Sequence, residues 1–352
     1  MAMAKDTSIP SLNVAAQAHS CRWRHWLLVG LPLLAFLFSF PLGRYSISPG
    51  QLLTLLAAKI FPIDRTWPET LETVVFQVRL PRMLVAMLVG AALATAGAAY
   101  QGMFRNPLVS PDILGASAGA GFGAALAIYF SLGVVGIQAS SFIFGLLAVF
   151  LTYTLSSRIR HDPILVLVLA GILMGTLFSS ATSLLKYLAD PYDKLPAITF
   201  WLMGSLAATT TRDLYAALGP VLLGVVPLYL LRWRLNVLSL GEDEARALGL
   251  DTARLRLVVI LCSTLVTSAT VAISGMIGWI GLVIPHLARM VVGPNYRELL
   301  PASICIGSAY LLLVDDLARI LASVEIPLGI LTSFIGAPFF LYLLFQARRG
   351  WA

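Results

Sequence analysis

Ten apolar segments follow one another along this chain, each bounded by charges or by Pro and Gly. They lie at about 26–43, 83–103, 113–132, 138–157, 163–187, 213–231, 255–274, 277–292, 299–317 and 326–346. Crossing a bilayer core takes about 20 apolar residues at 1.5 Å rise per residue, and each segment approaches that length. The 277–292 segment is short and interrupted by glycine. A charged side chain at a helix centre costs about 2.5–3.5 kcal/mol on insertion scales, and these segments carry almost none there. Lipid offers backbone groups no hydrogen-bond partner, so each crossing has to be helical. The expectation is an all-α polytopic membrane protein with about ten transmembrane helices. Composition agrees: 59% of the 352 residues are hydrophobic and 12% charged. That excludes an ordinary cytosolic enzyme, where about a quarter would be charged.

Residues 1–21 form a polar tail, and 22–352 a single transmembrane domain. The tail has no apolar stretch of the signal-peptide kind. Arg22, Arg24 and His25 precede the first segment, which is expected to be an uncleaved anchor with its N-terminus inside. Counting loops from that start places 15 of the 24 basic residues on the inner face, among them Arg158, Arg160, Arg232 and Arg234. Both termini are therefore expected in the cytoplasm. The net charge of +7 is not a nucleic-acid signal, because the basic residues stand singly or in pairs between apolar segments. Cys21, Cys262 and Cys305 show neither disulfide nor metal-ligand spacing.

Two connections exceed what joining helices requires. The outer one, 45–78, carries Pro49, Pro62 and Pro68 and a short amphipathic stretch. The inner one, 236–253, is the most charged part of the chain and contains Gly241-Glu242-Asp243-Glu244-Ala245-Arg246-Ala247-Leu248-Gly249-Leu250. Partial helical periodicity and a stop at Gly249 predict one or two short surface helices. It is either a docking surface or a solvated loop.

No catalytic centre stands out. Gly115-Ala116-Ser117-Ala118-Gly119 matches G-x-S-x-G, but it opens an apolar helix instead of following a strand. Gly115, Gly119 and Gly123 at four-residue spacing fit close helix packing better, and Gly171 and Gly175 repeat the device. There is no G-x-x-x-x-G-K-[ST], so ATP-driven work would need a separate motor protein. Asp315 and Asp316 are the only candidates for an ion-coupling site in the bundle, the mark of a secondary transporter. Asp315 also lies four residues before Arg319, which suits a local ion pair. His286 has no neighbouring Cys, Asp or Glu and fits a packed residue beside Pro285 better than a metal ligand. Thr176, Ser180, Ser183 and Tyr187 share one helical face, along which hydroxyls either line a wet path or bond their own backbone.

Several blocks in order resemble the FecCD/BtuC-type permeases, the membrane subunits of ABC importers. They begin with Arg79-Leu80-Pro81-Arg82 leading into Gly90 to Gly97, Asn106-Pro107-Leu108-Val109-Ser110-Pro111 and Leu114-Gly115-Ala116-Ser117-Ala118-Gly119. Trp201-Leu202-Met203-Gly204-Ser205 and the inner loop through Ala247-Leu248-Gly249 follow. Then come Gly278 to Arg289 with its Ile284-Pro285-His286, Leu299-Leu300-Pro301, Asp316-Leu317-Ala318-Arg319, Glu325-Ile326-Pro327-Leu328-Gly329 and Gly336-Ala337-Pro338. The likeness spans about 40–346.

The resemblance implies a BtuC-like (type II importer) permease fold of ten helices in a bacterial or archaeal cell (inner) membrane. It also implies a second permease subunit, a homodimer being expected first, two cytoplasmic P-loop ATPases, and an extracytoplasmic substrate-binding protein. Membrane lipid surrounds it, and no nucleic acid takes part. The chain would have no catalytic residue, metal site or cofactor of its own; ATP and Mg belong to the ATPases. The family's coupling helices fall on Gly241, Glu242, Glu244, Ala245, Leu248 and Gly249. Docking of the binding protein falls on Arg79, Arg82 and Arg319, which could otherwise be arginines snorkelling at the membrane interface. The cytoplasmic gate falls on Asn106, Pro107 and Leu108, and Thr176, Ser180 and Ser183 become pathway lining. A second gate of hydroxyls has no counterpart at Pro163-Ile164-Leu165-Val166. The cargo expected first is an iron-siderophore, with haem, cobalamin or a molybdate-type oxyanion behind it.

Overall fold

The computed structural model describes residues 14–349 except 44, 46, 60, 63, 66 and 160–162, and side chains between 27 and 345, apart from those positions and 344. Most of the predicted tail, with Lys5, therefore lies outside the described residues, as does Arg160. From Val14 onward the tail is helical.

The described residues form α-helices joined by short turns. In order they are α1 (Val14–Ser39), α2 (Pro49–Ala57), α3 (Glu69–Thr73), α4 (Leu80–Phe104), α5 (Ala116–Tyr129), α6 (Gly133–Arg158), α7 (Pro163–Leu188) and α8 (Lys194–Leu202). There follow α9 (Thr211–Leu230), α10 (Arg232–Leu240), α11 (Glu242–Ala247), α12 (Thr252–Ser274), α13 (Ile280–Val292), α14 (Tyr296–Ile320) and α15 (Leu328–Arg349). A π-helical turn, Val74–Arg79, fuses α3 to α4, giving one rod over Glu69–Phe104. That rod and α6, α7, α9, α12 and α14 are long and apolar enough to cross a membrane. Four shorter apolar helices, Leu27–Ser39, α5, α13 and Leu328–Leu343, coincide with the remaining four predicted segments.

Local chemistry sets the helix ends. Ser48 and Gln51 form a reciprocal cap on α2, and Thr210 and Asp213 do so on α9. Asp251 and Asn295 accept backbone N–H groups at the starts of α12 and α14. α13 is short because non-helical backbone, residues 275–279, precedes it inside the bundle. Backbone of that kind is tolerated at membrane depth only where protein satisfies it. Here the non-helical 203–205 stretch pairs with the end of α12 and the start of α15: Ser205 N donates to Ser274 O at 2.8 Å, Leu328 N to Gly204 O at 2.9 Å, and Gly329 N to Met203 O at 3.0 Å.

The centre of the bundle is α4, buried along most of its length against α14, α12 and α13. Glycines make the approach possible. A Cβ on Gly90 would run into the carbonyl of Gly307 on α14, and one on Gly97 into the carbonyl of Gly281 on α13. In contrast, α6 and α7 leave rows of large apolar side chains uncovered, among them Phe150, Leu169, Leu173 and Leu177. The expected Gly115/Gly119/Gly123 face divides in two. Gly119 and Gly123 seat α5 against α6 backbone at Phe144 and Ser140, whereas Gly115, at φ +84°, belongs to the turn before the helix. Gly171 faces the carbonyl of Ile113, so at that position α7 packs on the turn before α5.

Candidate functional site

Four features share the bundle: an acidic elbow and the 105–109 turn at one end, a buried charge cluster at the other, and a polar groove along α7.

The elbow is α10, Gly241 and α11, closed by Gly249. Gly241 adopts φ +153° and a Cβ there would meet the Glu244 carboxylate; Gly249 adopts φ +80°. Both positions favour glycine. Leu235, Leu238 and Ala245 are buried and anchor the two helices. Glu242 accepts from Arg246 at 2.7 Å, Arg256 at 2.8 Å and Thr252 at 3.3 Å, which pins α11 to α12. Burial opposes ionisation of Glu242, but Arg256 and Arg246 outweigh it and hold this carboxyl below the usual glutamate value. Asn236 donates to Asn295 at 2.7 Å and accepts from Tyr296 N at 2.7 Å, which ties α10 to the start of α14. The six residues expected to couple thus separate by task. Gly241, Glu242 and Ala245 shape the elbow from within, while Glu244, Leu248 and Gly249 are exposed, Leu248 by 65%.

Near the same end, Arg105 closes α4 in a left-handed conformation at φ +49°, and Asn106, Pro107 and Leu108 follow as an exposed turn. Asn106 Oδ1 accepts from Leu108 N at 2.9 Å. Gln101 braces the turn: its Nε2 donates to Val109 O and to Gly281 O, both at 3.3 Å, and its Oε1 accepts from Arg289. The predicted gate is therefore mechanically connected to α13. His286, also on α13, lies with its ring 6.4 Å from that of Phe340, and no group of His, Cys, Asp and Glu able to hold a metal occurs among the described residues.

At the opposite end, the three arginines on which docking of a binding protein was expected are buried. Arg79, Arg82 and Arg319 are 4%, 6% and 7% exposed, so they are not free surface cations. Arg82 grips Asp315 through contacts of 2.8–3.1 Å and Glu325 through contacts of 2.9 and 3.0 Å. Arg319 pairs with Asp316 and lies 3.4 Å from Asp315. Ser39 Oγ donates to Asp316 at 2.6 Å and accepts from Arg319 at 3.1 Å. Arg79 donates to the carbonyls of Phe40 and Tyr45. A buried guanidinium needs counter-charge or carbonyl partners, and here each has them. The cluster joins α1, α4, α14 and the 321–327 turn, and it occupies both carboxylates that motivated an ion-coupled mechanism.

The hydroxyl face of α7 opens on a groove of about 580 Å³ lined by Asp112, Ile113, Gly171, Ile172, Gly175, Thr176, Ser179, Ser180 and Ser183. Thr176, Ser180 and Ser183 thus come together as expected. Thr176 and Ser183 spend their protons on the carbonyls four residues back. Asp112 was not singled out from sequence, and the Pro111-Asp112 start of a short 3-10 turn was its only signal. Ser117 of the G-x-S-x-G match donates to Asp112, which ties the turn to α5.

A model of the FecCD transport family matches residues 31–346. The molybdate import system permease protein MolB of Haemophilus influenzae is 45% identical over 327 residues, covering 92% of this chain and 96% of that protein. The cobalamin import system permease protein BtuC of Halobacterium salinarum is 40% identical over 291 residues, covering 82% and 78%. A solved structure of a metal-chelate type ABC transporter in an inward-facing conformation superposes with a TM-score of 0.82 at 44% identity. It covers 92% of this chain and 98% of that one.

Proposed function

The chain belongs to the FecCD transport family of ABC importer permeases, and from that premise we propose that it carries a metal chelate into the cytoplasm by alternating access, driven by separate P-loop ATPases. The elbow end, with both chain termini, faces the cytoplasm in a cell inner membrane; the charge cluster faces outward toward a substrate-binding protein. Two copies of the chain enclose the pathway, and the exposed apolar rows of α6 and α7 face the second copy or lipid. Asn106, Pro107 and Leu108 form the inner gate, and α7 lines the path. Iron-siderophores are the first cargo to test, followed by haem, cobalamin and molybdate.

The elbow carries this reading. It offers a motor protein an exposed acidic and apolar knob, Glu244 and Leu248, whose base is pinned to two long bundle helices. A push on the knob is transmitted to α12 and α14 instead of being lost in a loose loop. The extracytoplasmic partner would meet a preformed, neutralised platform, not bare arginines, so charge steering there is weaker than the resemblance implies. The ion-coupled alternative loses its motive, since Asp315 and Asp316 are already engaged by Arg82 and Arg319.

The test is reconstitution in proteoliposomes with a candidate P-loop ATPase subunit from the same genome. Addition of the permease should stimulate ATP hydrolysis, and Glu244→Lys or Leu248→Asp should abolish that stimulation while leaving the helical spectrum unchanged. Wild-type stimulation in both variants would overturn the coupling assignment.

A further inference from the structure

The groove along α7 has a chemical polarity of its own. It contains one carboxylate, four hydroxyl side chains and two glycines, and no Lys, Arg or His lines it. Asp112 is exposed there. One of its oxygens accepts from Ser117; the other has no hydrogen-bond partner among the described residues. Thr176 and Ser183 donate to the backbone carbonyls of Ile172 and Ser179 at 2.8 and 3.0 Å, so toward the groove they present lone pairs. Ser179 and Ser180 remain able to donate or accept. Desolvation within the groove pushes the Asp112 carboxyl above the usual aspartate value, and the hydrogen bond from Ser117 opposes that shift. When ionised, its charge is offset by the N–H ends of α5 by roughly half a unit at most, which leaves the groove negative.

A partly dehydrated oxyanion needs cations or convergent N–H and O–H donors to replace its water. This groove supplies mainly acceptors. Cargo bearing amide, amine or hydroxyl protons, with no net negative charge, would instead find partners on both sides of it. We propose that Asp112 is a charge-selecting residue of the translocation pathway, and that the α7 groove passes neutral or cationic donor-bearing chelates in preference to bare oxyanions. The inference rests on the reading of α7 as pathway lining, and it departs from the substrate named for the Haemophilus influenzae relative.

The test measures local potential with thiol reagents of opposite charge. In the assembled transporter, with Cys21, Cys262 and Cys305 replaced by Ala, Ser180→Cys is reacted with trimethylammonium-ethyl and with sulfonatoethyl methanethiosulfonate. Each rate is divided by that of free 2-mercaptoethanol. The expected result is a roughly tenfold corrected preference for the cationic reagent, from one unit charge a few ångströms away in partly aqueous surroundings. The preference should shrink toward parity in Asp112→Asn, persist in Asp112→Glu, and fall as salt is raised. Equal corrected rates, or a preference unaltered by both salt and Asp112→Asn, would overturn charge selection while leaving α7 in the pathway. Protection of Ser180→Cys from both reagents in every nucleotide state would overturn the pathway assignment and this inference with it.

Discussion

Neutralising Asp315 isolates what the buried charge cluster contributes, because two acids of different burial share one guanidinium. Arg82 contacts Asp315 at 2.8 Å and Glu325 at 2.9 Å, yet the Asp315 side chain is fully buried while that of Glu325 is 30% exposed. Asp315 also lies 3.4 Å from Arg319, so Asp315→Asn removes the charge between two buried cations. Removal of one partner of a buried pair costs about 3–5 kcal/mol, most of it from the uncompensated charge left behind. Glu325 and Asp316 still serve the two arginines, which puts the expected loss near the lower limit, about 3 kcal/mol. Glu325→Gln leaves Arg82 with its stronger partner and lets water replace the weaker, so the loss should be about 1 kcal/mol or less. Denaturant unfolding of the purified protein in one fixed detergent, followed by circular dichroism, gives both values. Joint replacement, Arg82→Met with Asp315→Leu, should recover most of the Asp315→Asn loss, since an apolar pair of similar volume needs no solvation. If Asp315→Asn cost no more than Glu325→Gln, burial would not be what sets the strength of these contacts, and the account of the cluster would fail.

Other outcomes can be checked with simpler variants. Gly97→Val should prevent the α4–α13 approach and abolish recovery of folded protein on size exclusion, whereas Gly219→Ala on α9, with open space around it, should be neutral or stabilise by up to about 1 kcal/mol. Glu242 is held below its ordinary value in the folded chain, so its ion pairs contribute fully above pH ~4.3 and are lost as pH falls through the lower folded-state value. Hydrogen exchange across 242–250 should therefore accelerate in that acid window, and Glu242→Gln should show fast exchange already at neutral pH. Gln101→Ala removes the brace between the 105–109 turn and α13 and should raise ATP hydrolysis uncoupled from uptake; unchanged coupling would show the turn to be held without it.

The ten segments were legible because lipid imposes a coarse rule, an apolar run of fixed length, which local sequence obeys. The elbow was legible for the opposite reason, since its charges interrupt that rule. The state of the arginines was not. Asp315 and Glu325 lie 233 and 243 residues from Arg82, and no local pattern states that the three meet. Only the Asp315–Arg319 spacing was a local clue, and that pair is present. Trp279 was equally hidden: it takes φ +69°, a conformation that costs a side chain of this size strain energy, immediately before α13. Asp112 escaped notice because a carboxylate opening a turn is usually only a cap; its place in the groove appears when α7 packs its glycines onto that turn.

One element connects the two ends of the molecule. α14 starts at Asn295, where Asn236 of the elbow is bonded, and ends at the Asp315, Asp316 and Arg319 cluster. At 25 residues and 1.5 Å per residue it is a rod of about 37 Å, long enough to span the bilayer core alone. Along it, Gly307 meets Gly90 with backbone against backbone, so α14 and α4 can slide only by breaking close contact over a glycine pair. A displacement of the elbow must then either move α14 and α4 as one body or shear them at that contact. The first choice carries the charge cluster with it, because Arg82 on α4 and Arg79 on the π-helical turn fused to it ride together, while Asp315 and Arg319 ride on α14. A single rigid lever from the elbow to the charge cluster follows from that geometry. The distance between spin labels on Val78→Cys, exposed on the rod that contains α4, and Ile320→Cys, exposed at the end of α14, should therefore stay constant across nucleotide states, and a change would show that the two helices slide.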